Sequence, residues 1–163
     1  MTGTPSTATA DPSAGKGWVT ARVGPDGFRT EVEVRTHGLV ADEPIELHGT
    51  DRGPTPYEYL LIALASCMAM TLRMYADRKG WPLEGVEVRL RTAQSHEKDC
   101  ENCESTPVGV TRIERGLDLS GPLSEEQRTR LLQIADRCPV KQTLERGVKV
   151  VPYSPADVPE EAP

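Results

Sequence analysis

Residues 55–79 read TPYEYLLIALASCMAMTLRMYADRK, and the fold turns on how this stretch is read. Thr55, Pro56 and Glu58 mark a helix start. Thr55 caps the first free amides, Pro56 suits the first helical position, and Glu58 completes a T-x-x-E capping box. From Tyr59 to Met70 the polar side chains are Ser66 and, weakly, Cys67. A helix that is apolar on every side must be surrounded, so this one is expected at the centre of the fold. Counted to Met70, the run falls short of the roughly 20 apolar residues that span a bilayer, and Arg73 soon interrupts it. No membrane is expected. Cys67, midway along, is either a small buried hydrophobe or a thiol lining a pocket shielded from bulk water.

Downstream, Lys79-Gly80 predicts a helix end, and Trp81-Pro82 forbids continuation. Val86, Val88 and Leu90 alternate with charged residues, the pattern of a half-buried strand. Ile113, Leu117 and Leu119 fit the inward face of another strand, but Arg115 shares their parity; a bulge near Gly116 is the expected repair. Between these strands, residues 95–107 read as a polar loop or strand extension. Ser124-Glu125-Glu126-Gln127 is a second capping box, opening a helix with Leu131, Ile134, Ala135 and Cys138 on one face. Pro139 divides it from a short helix with Val140 and Leu144 inward and Gly147 as its stop. Residues 148–151 predict a last strand. Upstream, residues 17–23 and 28–35 flank the turn Gly24-Pro25-Asp26-Gly27, a β-hairpin. Residues 45–48 suggest a third short strand, and residues 50–54 a Gly/Pro loop leading into the central helix. Strands on both sides of one helix, with a late helical pair, predict an α+β domain.

The composition sets outer bounds. Of 163 residues, 37% are hydrophobic and 4% aromatic, and the leanest stretches are the ends. Residues 1–16 and 152–163 are expected to be disordered tails around one domain at 17–151. The net charge of −6 is spread without a basic block, so no nucleic acid partner is expected. The N-terminus lacks the pattern of a secretory signal, and a cytoplasmic location is the expectation. There, four cysteines point to catalysis or metal binding rather than to structural disulfides.

The chemistry rests on two cysteines on the apolar faces of two helices. Cys138 falls at the N-cap of the Pro139 helix, where free amides and the helix dipole favour a thiolate. Cys67, mid-helix, needs a cation, and arginine is the one that stays charged when partly buried. Brought together, one thiol attacks an oxidant and the other resolves the sulfenic acid to a disulfide; kept apart, both are inert core residues. His96, Cys100 and Cys103 form H-x3-C-x2-C, a candidate metal or dithiol site with Asp99 or Glu104 as conceivable fourth ligand. No cofactor motif is present in the sequence.

The run Gly53-Pro54-Thr55-Pro56-Tyr57-Glu58-Tyr59-Leu60, then Ala63-Leu64-Ala65-Ser66-Cys67, then Arg137-Cys138-Pro139-Val140 with Leu144, resembles the OsmC/Ohr family of osmotically induced and organic hydroperoxide resistance proteins. Residues 81–84, Trp-Pro-Leu-Glu, and the D-C-x-x-C-E insert at residues 99–104 resemble one branch of it. The resemblance implies an OsmC-like fold, antiparallel-rich sheets packed on the long apolar helix in an intertwined homodimer. It implies thiol-dependent reduction of organic hydroperoxides to alcohols, with Cys67 peroxidatic and Cys138 resolving. It implies a dithiol reductant, a lipoyl-protein or a small thiol, with walls from Met68 or Met70 favouring alkyl peroxides. The family places a glutamate ten residues before the peroxidatic cysteine; here Tyr57 holds that place and Glu58 follows, where it also serves the capping box. The family's early arginine is matched by Arg29, with Arg52 as a second candidate. The alternative is a non-catalytic member that binds a small apolar ligand at the dimer interface.

Overall fold

Thr55 and Glu58 close the expected box in the computed structural model: the Thr55 N–H donates to Glu58 Oε2 at 2.7 Å, and the Glu58 N–H donates to Thr55 Oγ1 at 3.3 Å. The helix they open, α1 (Pro56–Lys79), runs for 24 residues until Gly80, at φ +62°, turns the chain away. The structure describes residues 17–92 and 112–152. They belong to two compact units, one up to Leu60 and one from Leu61.

In the first unit β1 (Val19–Val23) and β2 (Thr30–Val34) form the expected hairpin, with Val23 opposite Thr30. A second hairpin was not expected. β3 (His37–Ala41) pairs antiparallel with β2 through a two-residue turn in which Arg35 adopts φ +55°. Glycine or asparagine usually announces such a turn, and Arg35-Thr36 carries neither. The strand expected at residues 45–48 is instead a 3-10 turn, Ile45–Leu47, opened by Pro44 and closed by His48 at φ +64°. Proline withholds an N–H from any ladder, which is why this segment coils.

Asp42, which the sequence did not single out, organises the loop that follows. Its buried carboxylate accepts the Thr50 hydroxyl at 2.5 Å and the N–H groups of Glu43, Thr50 and Arg52 at 2.8, 3.2 and 3.1 Å. Tyr59 donates its hydroxyl to the Val40 carbonyl at 2.7 Å. At Gly53 any Cβ would stand 2.1 Å from that same carbonyl oxygen, so only glycine fits.

The second unit is built on α1. At 24 residues the helix is long and apolar enough to cross a membrane, which corrects the estimate that stopped at Met70. Leu64, Met68, Leu72 and Ala76, one stripe of it, are nevertheless buried in the unit's own core. The helix therefore contributes one stripe to the core, while Ile62, Met70 and Met74 on its other side are exposed rather than surrounded as expected. β4 (Gly85–Thr92) and β5 (Ile113–Ser120) pair antiparallel over eight residues, from Gly85 opposite Ser120 to Thr92 opposite Ile113. The register is continuous, so the bulge expected near Gly116 does not form. Val86, Val88 and Leu90 oppose Leu119, Leu117 and Arg115, which places Arg115 on the apolar face of the sheet.

α2 (Glu125–Ala135) opens on the second capping box: Ser124 N–H donates to Gln127 Oε1 at 3.0 Å, and Gln127 N–H returns to Ser124 Oγ at 3.2 Å. Leu131, Ile134, Ala135 and Cys138 are buried as expected. α3 (Pro139–Arg146) follows with Val140 packed on the core, but Leu144 is exposed rather than inward. Val148, Val150 and Val151 are exposed and, among the described residues, form no strand.

The Asp42 network carries a pH signature. The Thr50 hydroxyl, with the three N–H groups, holds the carboxyl below its ordinary value of 3.8. Its stabilising effect is therefore complete above the unfolded-state value and is lost as pH falls through the depressed folded value. Urea midpoints of wild type and Asp42→Asn should differ at about pH 7 and converge as pH falls below the depressed folded value. A gap that does not close on acidification would contradict this assignment.

Candidate active site

The two apolar-face cysteines meet in the second unit. α1 contributes Cys67, partly buried, and the α2–α3 junction contributes Cys138, which is 0% exposed. Both are free thiols, and Cys67 packs against the buried cluster that contains Cys138. Chain geometry brings them together. Pro139 cannot continue α2 and begins a new helix, so the chain turns at residues 136–138 while Leu131, Ile134 and Ala135 seat the end of α2 on the core.

The two sulfurs differ in acidity. Burial acts to raise Cys67, but the Val140 N–H, the Cys138 thiol and the Thr71 hydroxyl outweigh it and hold Cys67 below the ordinary thiol value. Burial pushes Cys138 up, and its neighbour Cys67 pushes it further, against the N–H groups of Lys141 and Val140. One thiol is thus prepared to ionise and the other to keep its proton. Such a pair can deliver a nucleophilic thiolate with a neutral thiol beside it.

The groups that lower Cys67 within the second unit are all neutral. Arg29 and Arg52 lie in the first unit. They line one groove of about 550 Å³ with Val40 and Thr50, and Arg29 Nη1 is paired with Glu31 Oε1 at 3.1 Å. Glu58, also in the first unit, is engaged by the capping box. Of the two methionines expected as walls, Met68 is buried beneath the thiols' helix face and Met70 is 64% exposed. Among the cations that the second unit brings to this region are Arg115 and Lys141, both on Asp136, and Arg115 also reaches α1. Its Nη1 donates to Asp136 Oδ1 at 3.0 Å and approaches Met68 Sδ at 3.7 Å. The sequence carried its signal in the parity of β5, where a bulge was expected to remove it. His96, Cys100 and Cys103 lie outside the described residues. Among the described residues no group of three His, Cys, Asp or Glu side chains is placed to hold a metal ion.

Residues 49–152 match the model of the OsmC-like protein family. The chain belongs to the OsmC-like family. No curated protein sequence matches the chain. Among solved structures it is similar to an OsmC-like protein from Mycoplasma pneumoniae, 21% identical at a TM-score of 0.65, covering 78% of this chain and 85% of that one. It is also similar to an organic hydroperoxide resistance protein, a predicted redox protein, from Legionella pneumophila, at 19% identity and TM-score 0.56, with 78% and 87% covered. A third likeness is an organic hydroperoxide resistance protein from Elizabethkingia anophelis with thiocyanate bound, at 15% identity and TM-score 0.57, with 77% and 84% covered. At these identities the likeness speaks for the OsmC-like fold, in which antiparallel sheets accompany a long apolar helix.

Alkylation of the reduced protein tests the asymmetry. Followed peptide by peptide, Cys67 should react before Cys138, with its midpoint below that of an unperturbed thiol. Equal rates, or a Cys67 midpoint at or above that value, would contradict the assignment.

Proposed function

We propose that this OsmC-like protein is a thiol-dependent peroxidase that reduces organic hydroperoxides. The observation that carries the reading is the contact between Cys67, lowered, and Cys138, raised, across two helices. In the first step the Cys67 thiolate attacks the distal peroxide oxygen. The O–O bond breaks, the sulfur becomes a sulfenic acid, and the alkoxide leaves as an alcohol after taking one proton. The Cys138 sulfur then attacks the Cys67 sulfenic acid, a disulfide forms and water departs. An external dithiol, a lipoyl-protein or small thiol, reduces the disulfide by exchange and is itself oxidised. Arg29, Arg52 and Glu58 are proposed to serve such a site from another copy of the chain.

A homodimer is part of this proposal, and α1 supports it. Ile62, Ser66, Met70 and Met74 recur every four residues, the face away from the buried stripe, and Ile62, Met70 and Met74 are 49%, 64% and 71% exposed. The Ser66 hydroxyl donates to the Ile62 carbonyl at 2.7 Å, which leaves the stripe with little polar character. A contiguous apolar stripe on the most apolar helix of the chain is suited to a second copy of itself. Met70→Glu should shift the sedimentation coefficient from dimer to monomer; a wild-type monomer would refute the assembly.

Stopped-flow consumption of cumene hydroperoxide tests the chemistry. Wild type with a dithiol should turn over and prefer it to hydrogen peroxide. Cys67→Ser should abolish turnover, and Cys138→Ala should complete one reaction per subunit and then stall as a sulfenic acid. Undiminished consumption by Cys67→Ser would reject the mechanism and leave the apolar-ligand reading.

A further inference from the structure

All the groups that favour the Cys67 thiolate are neutral, so their effect depends on position. A hydrogen bond weakens steeply with angle and distance, and the Val140 N–H and the Cys138 thiol both come from the short α2–α3 junction rather than from α1 itself. Burial of Ile134, Ala135 and Cys138 seats that junction on the core. Asp136 ends α2 with its N–H on the Ile134 carbonyl, and the Cys138 N–H reaches the Ala135 carbonyl at 3.2 Å. Among the described residues, the junction's polar link to another element is ionic. Arg115, projecting from the apolar face of β5 with 29% of its side chain exposed, bonds Asp136 Oδ1 at 3.0 Å while touching Met68 Sδ, the residue after Cys67.

We propose that Arg115 is a positioning residue, whose bridge from Met68 on α1 to Asp136 holds the α2–α3 junction where its amide and thiol donors meet the Cys67 sulfur. The inference rests on the peroxidase reading for its purpose, though not for its test. Its sheet position supports it. A charged side chain opposite Leu90, among Val86, Val88, Leu117 and Leu119, is costly to keep unless it is paired. Asp136 supplies the pairing, and Lys141 Nζ, at 3.7 Å from the same oxygen and 2.6 Å from Glu145 Oε1, extends the network into α3. The charged groups of this network are Arg115 from β5, Asp136 from the junction, and Lys141 and Glu145 from α3, beside the titratable thiols Cys67 and Cys138.

A positioning role and a through-space charge effect predict opposite signs at one residue. Removing the negative charge of Asp136 would, by charge alone, make a nearby thiol more acidic. If Asp136 matters because it anchors the junction, the same change makes Cys67 less acidic. Full-length wild type, Arg115→Gln, Arg115→Lys, Asp136→Asn and the Gln/Asn double variant would be alkylated with iodoacetamide across a pH series, with the Cys67 peptide followed by mass spectrometry. Arg115→Gln and Asp136→Asn should each slow Cys67 at about pH 7 by about threefold to tenfold, a shift of half to one pKa unit. The double variant should be no slower than the slower single variant, and Arg115→Lys, which keeps a cation for Asp136, should recover most of the rate. An Asp136→Asn protein that reacts as fast as wild type, or faster, overturns the proposal. If Arg115→Gln does not fold by circular dichroism, Asp136→Asn and Arg115→Lys decide it by the same criteria. No peroxide enters the measurement, so an inactive wild-type protein would refute the peroxidase while leaving this result intact.

Discussion

Much of the second unit depends on the seating of a helix break against the middle of α1. Leu131, Ile134, Ala135 and Cys138 are buried together with Leu64, Met68, Leu72 and Ala76 in one apolar cluster. The hydrophobic effect that buries these side chains also fixes where the chain between α2 and α3 must pass. Because Pro139 forces a new helix there, the passage exposes fresh amide donors in a place otherwise surrounded by hydrocarbon. The sulfur atom on the opposing helix is therefore favoured by the Val140 N–H rather than by a charged side chain. Packing and chemistry share one contact.

That contact also explains why two thiols of the same kind behave differently. Cys138 is fully enclosed, and the cost of charging an enclosed group dominates it. Cys67 keeps partial access, and the Val140 N–H and the Cys138 thiol favour its charged form. In a low-dielectric setting each donor counts for more than it would at the surface, and so does each missing one.

Much of the fold was readable in the sequence because its signals are local. The two capping boxes, the Gly80 stop, the alternation in β4 and the Pro139 break each follow from a few neighbouring residues. What escaped depends on partners far along the chain or on turns without a marker. β3 hid behind Arg35-Thr36, where a left-handed arginine replaces the usual glycine. Residues 45–48 look extended by composition, but Pro44 and the Asp42 network coil them. Residues 148–151 have the β-branched composition of a strand, yet composition cannot supply a neighbour to pair with. The cysteine pair was legible as chemistry and as a family resemblance, whereas its neutral donors were not, since a backbone N–H has no letter in a sequence. Arg115 sits between these cases. Its parity was visible, and only the register of β5 against β4 shows that the anomaly is real.

The N-cap of α3 has a consequence for how the pair responds to change. A serine, threonine or aspartate in that place would fold its oxygen over the first turn and take the amide of the second residue for itself. Cys138 makes no such bond, and the second residue is Val140. Sulfur is the weaker claimant on that helix start, so the Val140 amide is shared with the thiol across the way. Replacing sulfur by a hydroxyl at 138, ordinarily the mildest of exchanges, would complete the helix and silence its neighbour, whereas a bare methyl would leave the amide where it points.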